Sequence, residues 1–278
     1  MIFAPLHLLT QFPPAAPAPP VGHELTTLYA LILGVVEGIT EFLPVSSTAH
    51  LILAADVLHL RETEFLKSFE IIIQLGAILS VVVLYWTRFW NWEVFKKLVV
   101  AFIPTGIIGL ALYKVVKGYL LGNIAVVLWA LFIGGIALLV FERFKKHSEV
   151  DPDFTEITYR KALLVGVFQA IAIVPGVSRS AATIVGGSLI GISKRTIVEF
   201  SFMLAVPTML AASLLELYKN HATLNAGASA LAVGFIVSFV MAIIAIKSFL
   251  AYLKKRDFTI FGWYRIVLAI AFYLVVVR

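Results

Sequence analysis

Cysteine is absent from the 278 residues. No disulfide, zinc–thiolate site or thiol nucleophile is therefore available. Charge is scarce as well: Asp, Glu, Lys and Arg make up 14% of the chain, while 61% is hydrophobic, and the mean hydropathy is +0.99. A soluble domain of this length has more polar surface to cover. Alternation of apolar and polar residues, the mark of barrel strands, is missing too. The apolar runs are continuous over about 20 residues, the length of a membrane-spanning helix. These features predict an all-α, polytopic integral membrane protein. The net charge of +6 is modest, and in such a protein it points to orientation in the bilayer rather than to nucleic acid.

Residues 1–23 hold no lysine or arginine and contain the run Phe12-Pro13-Pro14-Ala15-Ala16-Pro17-Ala18-Pro19-Pro20. Proline removes backbone donors and favours extended chain, so a mobile tail is expected there, not a cleaved signal peptide. A single membrane domain is expected over 24–278. Ten apolar helical pieces follow the tail, near 25–43, 47–59, 67–87, 96–116, 122–142, 160–175, 179–192, 196–218, 228–250 and 258–277. The short first and second pieces, and likewise the sixth and seventh, predict two re-entrant helix-loop-helix pairs. The other six predict full spans.

The halves repeat. Gly34-Val35-Val36-Glu37 corresponds to Gly166-Val167-Phe168-Gln169, 132 residues on, and Ser46, Ser47 and Thr48 correspond to Ser178, Arg179 and Ser180. This divides the domain into repeat one (24–142) and repeat two (158–278), with a charged connection between them. A pair plus three spans is an odd number of crossings, so the second half enters from the opposite side. Inverted-topology repeats of this kind place their site near the midplane, where the broken segments meet. On this assignment six Lys or Arg side chains fall on one side and fifteen on the other, Arg265 among the fifteen and Arg179 set aside as a site residue. The positive-inside rule makes the richer side cytoplasmic, with both termini outside.

Two polar runs interrupt the apolar pattern. The first is Glu37-Gly38-Ile39-Thr40-Glu41-Phe42-Leu43-Pro44-Val45-Ser46-Ser47-Thr48-Ala49-His50. Charged groups at membrane depth cost several kcal/mol unless paired or wet. Glu37 and Glu41, four residues apart, share a helical face. Two carboxylates so placed repel unless a proton or cation lies between them, and oxygen ligands suit a hard divalent ion, Mg²⁺ or Ca²⁺. A structural pair bonded to nearby hydroxyls is the alternative. Ser47 offers a nucleophilic hydroxyl, and His50 a base or acid. Ser46, Ser47 and Thr48 also suit capping of the next helix, Ser46 above all.

The second run is Pro175-Gly176-Val177-Ser178-Arg179-Ser180-Ala181-Ala182-Thr183. Ser178, Ser180 and the amides opening the next helix form a candidate anion nest, and the fork of Arg179 matches phosphate oxygens. The plainer reading of Arg179 is an ion pair with one of the glutamates, and the two readings are compatible. Gln169 reads as structural. Glu70 and Gln74 read equally as helix–helix bonds or distant support for the site, and Glu199 and Glu216 as packing groups. Tyr85, Trp86, Trp90 and Trp92 suggest an interfacial belt, and Lys254-Lys255-Arg256 a solvated run touching anionic lipid.

These two runs, with Glu199-Phe200-Ser201-Phe202-Met203-Leu204-Ala205-Val206-Pro207, resemble the undecaprenyl-diphosphate phosphatase family, also called the bacitracin-resistance protein family. The similarity covers about residues 25–278. Ala49, where many members have glycine, is a small departure. The resemblance implies hydrolysis of undecaprenyl diphosphate to the monophosphate, recycling the lipid carrier of peptidoglycan synthesis. It also implies the bacterial inner membrane, a site open to the periplasmic side, divalent-metal dependence, a homodimer, and no nucleic-acid partner. It places functional positions on Glu37, Glu41, Ser47, His50, Ser178, Arg179, Ser180 and Thr183. On this reading Ser47, His50, Glu41 and Arg179 are catalytic. Arg179, Ser178, Ser180, Thr183, Ser46 and Thr48 bind substrate, and Glu37 and Glu41 bind metal. The competing reading is a transporter or flippase for an anionic polyprenyl lipid, since broken inverted repeats are also transporter architecture.

Overall fold

The structure, a computed structural model, describes residues 22–120, 123–144, 153–220 and 227–276. The proline-rich tail, residues 145–152 of the charged connection and the side chain of Glu216 lie outside the described residues. Among the described residues the chain is helical throughout, with one isolated backbone bridge between His23 and Leu60. Eleven α-helices occur in order. They are α1 (Thr27–Thr40), α2 (Ser47–Val57), α3 (Glu64–Leu84), α4 (Trp86–Phe89), α5 (Trp92–Val115), α6 (Ile124–Phe144), α7 (Tyr159–Ala170), α8 (Arg179–Leu189), α9 (Lys194–Asn220), α10 (Ala228–Leu253) and α11 (Thr259–Val276).

Five of them, α3, α5, α6, α9 and α10, are long and apolar enough to cross a membrane, and α11 is shorter. The sequence reading missed α4, a single turn joining α3 to α5. Trp86 and Trp90 on and after it are exposed, as is Trp92 at the start of α5, whereas Tyr85, expected in the same aromatic belt, is buried. Polar side chains start the helices where the chain turns in. Thr26 caps α1 through the amide of Tyr29, and its counterpart Thr158 caps α7 through the amide of Lys161. Each such bond satisfies one of the donors that a helix leaves free at its first turn.

The short helices recur at the sequence offset of 132: α1 and α7 begin at Thr27 and Tyr159, α2 and α8 at Ser47 and Arg179. The caps before α2 and α8, Ser46 and Ser178, both have positive φ, 71° and 77°. A non-glycine residue held there is strained and persists only where its surroundings over-determine it. Gly176, two residues before the second cap, has φ 96°, and a side chain on it would stand 2.6 Å from the Val127 carbonyl oxygen.

The two halves do not pack as separate units. α1 and α3, from the first half, lie along α10 from the second, while α7, from the second, lies along α5 from the first. α3 meets α9, and α6 meets α11. Small residues make this exchange possible, since lipid offers no hydrophobic drive and close packing must hold the helices. A Cβ on Gly34 would lie 2.8 Å from the Gly234 carbonyl oxygen, and one on Gly38 would lie 2.5 Å from that of Ser238. The Ser238 hydroxyl donates to the Ile73 carbonyl at 2.7 Å, tying α10 to α3 on its other flank. The largest buried cluster runs from Phe42 through Phe200 and Phe202 to Phe249 and Phe258, and so places the first polar run against α9 and α10.

Gly38→Ala is expected to force α1 away from α10, because the nearest atom is a main-chain oxygen that cannot rotate aside. A loss of about 1–3 kcal/mol, read as a lower thermal unfolding midpoint in detergent, is the expected cost of such overpacking. An unchanged midpoint contradicts the seam.

Candidate active site

The break between α1 and α2 meets the break between α7 and α8. Arg179, the first residue of α8, donates from one terminal nitrogen to Glu41 Oε1 at 2.8 Å. This ion pair joins the two polar runs, and both side chains are largely buried, at 13% and 5% exposure. The other terminal nitrogen donates to the Ser201 carbonyl at 2.9 Å and reaches its hydroxyl at 3.4 Å. The guanidinium also lies 5.6 Å over the Phe42 ring. Its Nε is buried and has no partner.

Ser47 opens α2, and its hydroxyl donates to Glu41 Oε2. Glu41 thus holds the candidate nucleophile on one oxygen and the candidate phosphate ligand on the other. Ser180 donates to the Leu43 carbonyl at 2.7 Å and lies 3.1 Å from the Ser178 hydroxyl. Thr183 shares a hydrogen bond of 2.6 Å with Ser201. Its hydroxyl is also within reach of the Arg179 carbonyl, at 2.9 Å, and so braces the start of α8. Ser46 and Ser178 serve as caps, accepting from the amides of Ala49 and Ala181 at 3.4 and 3.3 Å. Thr48 is half-buried in the first turn of α2. The N-termini of α2 and α8 therefore flank one ion pair, and their amides and dipoles favour an anion there.

Glu37 is fully buried, and neither of its carboxylate oxygens accepts a hydrogen bond. Among the described residues, no three His, Asp or Glu side chains gather as a metal cluster. The donor set that fits a hard cation is accordingly small. Two unpartnered oxygens of Glu37 lie one helical turn before Glu41, and both are oxygen ligands of the type such ions take.

His50, read as a base or acid, is not hydrogen-bonded to Ser47, whose proton is directed to Glu41. The His50 Nδ1 instead turns back to the Ser46 carbonyl at 2.7 Å, and its Nε2 meets the Tyr264 hydroxyl at 2.7 Å.

Three contributors had no site role in the sequence reading: Ser201, although it lies in the run Glu199–Pro207, and Tyr264 and Arg265. Arg265 was assigned to a charged cytoplasmic edge, yet it is fully buried in α11. Its guanidinium donates to the carbonyls of Pro44 (3.2 Å), Gly176 (2.9 Å) and Val177 (2.9 Å), the main chain of both breaks. It also reaches those of Ala130 (3.1 Å) and Leu131 (3.3 Å) on α6. The available signal was its position inside the last apolar segment, where an arginine needs partners. Gln169, read as structural, donates to Thr105 and Thr208 at 2.9 and 3.1 Å.

Residues 30–271 match the family described as bacitracin resistance protein BacA. A protein of Aquifex aeolicus named undecaprenyl-diphosphatase is 49% identical over 250 residues, covering 89% of this chain and 98% of its own. Proteins of the same name from a Sulfurihydrogenibium species and from Bdellovibrio bacteriovorus are each 49% identical, covering 90% and 88% of this chain and 99% and 94% of theirs.

Arg265→Lys is expected to lower the thermal midpoint by the equivalent of about 2–4 kcal/mol, because an ammonium has three donors and buried carbonyls left without one are costly. A midpoint equal to wild type contradicts the clasp.

Proposed function

The chain belongs to the bacitracin resistance protein BacA family, and from that membership we propose that it hydrolyses undecaprenyl diphosphate to undecaprenyl phosphate and inorganic phosphate. The activity returns the lipid carrier to peptidoglycan synthesis and confers resistance to bacitracin. One observation carries the assignment of residues: Glu41 binds both Ser47 and Arg179, so nucleophile, base and phosphate ligand meet at a single carboxylate.

In this mechanism the terminal phosphate draws Arg179 from Glu41 by offering it a better-matched anion. The unpartnered Nε of Arg179 and the amides opening α8 take further phosphate oxygens, with Ser178 and Ser180 shaping the nest. Glu41, released from the guanidinium, accepts the Ser47 proton as Oγ attacks the terminal phosphorus. The anhydride bond breaks and the lipid monophosphate leaves. Water then cleaves the phosphoserine, and Oγ recovers its proton from Glu41. Positioning and fixed charge supply most of the rate in such transfers. Glu37 and Glu41 would hold a divalent cation, Mg²⁺ or Ca²⁺, whose charge when bound offsets that of the phosphate oxygens.

The reading extends to the membrane. α11, with 18 residues, serves as a sixth span, and the α1–α2 and α7–α8 pairs enter from opposite faces of the bacterial inner membrane. The lysine- and arginine-rich ends face the cytoplasm, and moving Arg265 into the interior does not reverse that bias. The pocket opens to the outer side, the polyprenyl tail lies among the helices, and the protein works as a homodimer.

Purified protein in detergent is expected to release phosphate from a polyprenyl diphosphate without any gradient, and a chelator to stop it. Arg179→Ala abolishes release, and Ser47→Ala lowers kcat by about 10³-fold or more, the scale of losing an activated nucleophile. Intact substrate throughout favours a transporter. A Ser47→Ala variant that keeps most of its kcat assigns the attack to water.

A further inference from the structure

His50 and Tyr264 form a defined pair that the mechanism above does not use. The Ser46 carbonyl can only accept, so His50 Nδ1 carries the proton in the bond between them. In the neutral ring Nε2 then has the lone pair, and the Tyr264 hydroxyl donates to it. The two rings are stacked, 5.5 Å between centroids and 6° from parallel. Tyr264 reaches the pair from α11 and is 44% exposed. Its neighbour Arg265 is anchored to both chain breaks, so the tyrosine is held at a fixed place relative to α2.

The proposed reaction names no base for its second half. Glu41 takes the Ser47 proton in the first half and returns it to Oγ in the second. Acting there as the acid, it cannot also draw a proton from the water that attacks the phosphoserine, so general-base help has to come from another group. The Nε2 lone pair of His50, carried on the helix that Ser47 opens, is a base of suitable type. We infer that Tyr264 is a positioning residue, which fixes His50 with Nδ1 protonated and covers Nε2 until a phosphoryl group in the site competes for the tyrosine hydroxyl. Once uncovered, Nε2 takes the water proton and passes it to solvent. This rests on the reading in the preceding subsection and adds a residue and a proton route to it.

The test compares wild type with Tyr264→Phe, which keeps the stacked ring and removes only the hydroxyl. One arm measures phosphate release. The other measures carbethoxylation of His50 by diethylpyrocarbonate, which acylates an unprotonated, uncovered imidazole nitrogen, followed by peptide mass spectrometry. Tyr264→Phe is expected to lower kcat about tenfold with KM within about twofold, the scale of losing a group that orients a reacting residue. It is also expected to raise the rate of His50 labelling severalfold. Inorganic pyrophosphate added to the wild-type protein should raise that rate too. Unchanged kcat overturns the inference, as does lower kcat with unchanged labelling, since the hydroxyl then acts through something other than His50. If the wild-type protein releases no phosphate, the hydrolase reading falls, and equal labelling in the two proteins overturns the pairing as well.

Discussion

Buried main-chain carbonyls are the constraint on which this structure turns. Breaking a helix in the interior of the protein frees carbonyls that water cannot reach, and each one left alone costs several kcal/mol. Two such breaks stand side by side here. Arg265 answers both with one guanidinium, binding Pro44 on the first and Gly176 and Val177 on the second. No carboxylate pairs with it among the described residues, so its charge is spread over carbonyl dipoles. This suits arginine, whose delocalised, weakly hydrated fork tolerates burial better than an ammonium. With the breaks fixed to a common point, Ser46 and Ser178 are held in their strained conformations, and the helices that follow them start where Glu41 and Arg179 can touch.

The ion pair then has a double character. As packing it neutralises two buried charges and rests against Phe42 and Ser201. As chemistry it presents a guanidinium fork already matched to the oxygens of an anion, a geometry that carboxylate and phosphate share. The unpartnered atoms around it have opposite signs: the Arg179 Nε as donor, the Glu37 oxygens as acceptors. Buried groups without partners are rare in folded proteins and cluster where a ligand completes them.

Much of this was legible in the amino-acid sequence. Two short polar runs in apolar surroundings marked the place where the two breaks meet, the offset of 132 related the helices that flank them, and an ion pair of Arg179 with one of the glutamates was the plainer of its two readings. What escaped was information carried by distance along the chain. Ser201, Tyr264 and Arg265 lie in long, largely apolar helices, and only tertiary packing brings them to the breaks. The spacing of Ser47 and His50 offers an imidazole as base or acid without naming its partners. In the structure the Ser47 hydroxyl donates to Glu41, while the imidazole turns back onto the Ser46 carbonyl and across to α11. The exchange of helices between halves was equally hidden, since glycines such as Gly34 and Gly38 do not name the surface they admit.

That exchange bears on how the molecule comes into being. α1 leaves the ribosome early, yet the helix against which its glycines close, α10, is among the last to be made. During most of synthesis the first hairpin therefore exists without its permanent neighbour, its acidic pair not yet facing Arg179. Its polar groups need temporary shelter, from the insertion machinery or from water at the bilayer surface, until the nascent chain is nearly complete. The buried polar centre between the two breaks is thus among the last parts of the molecule to be enclosed.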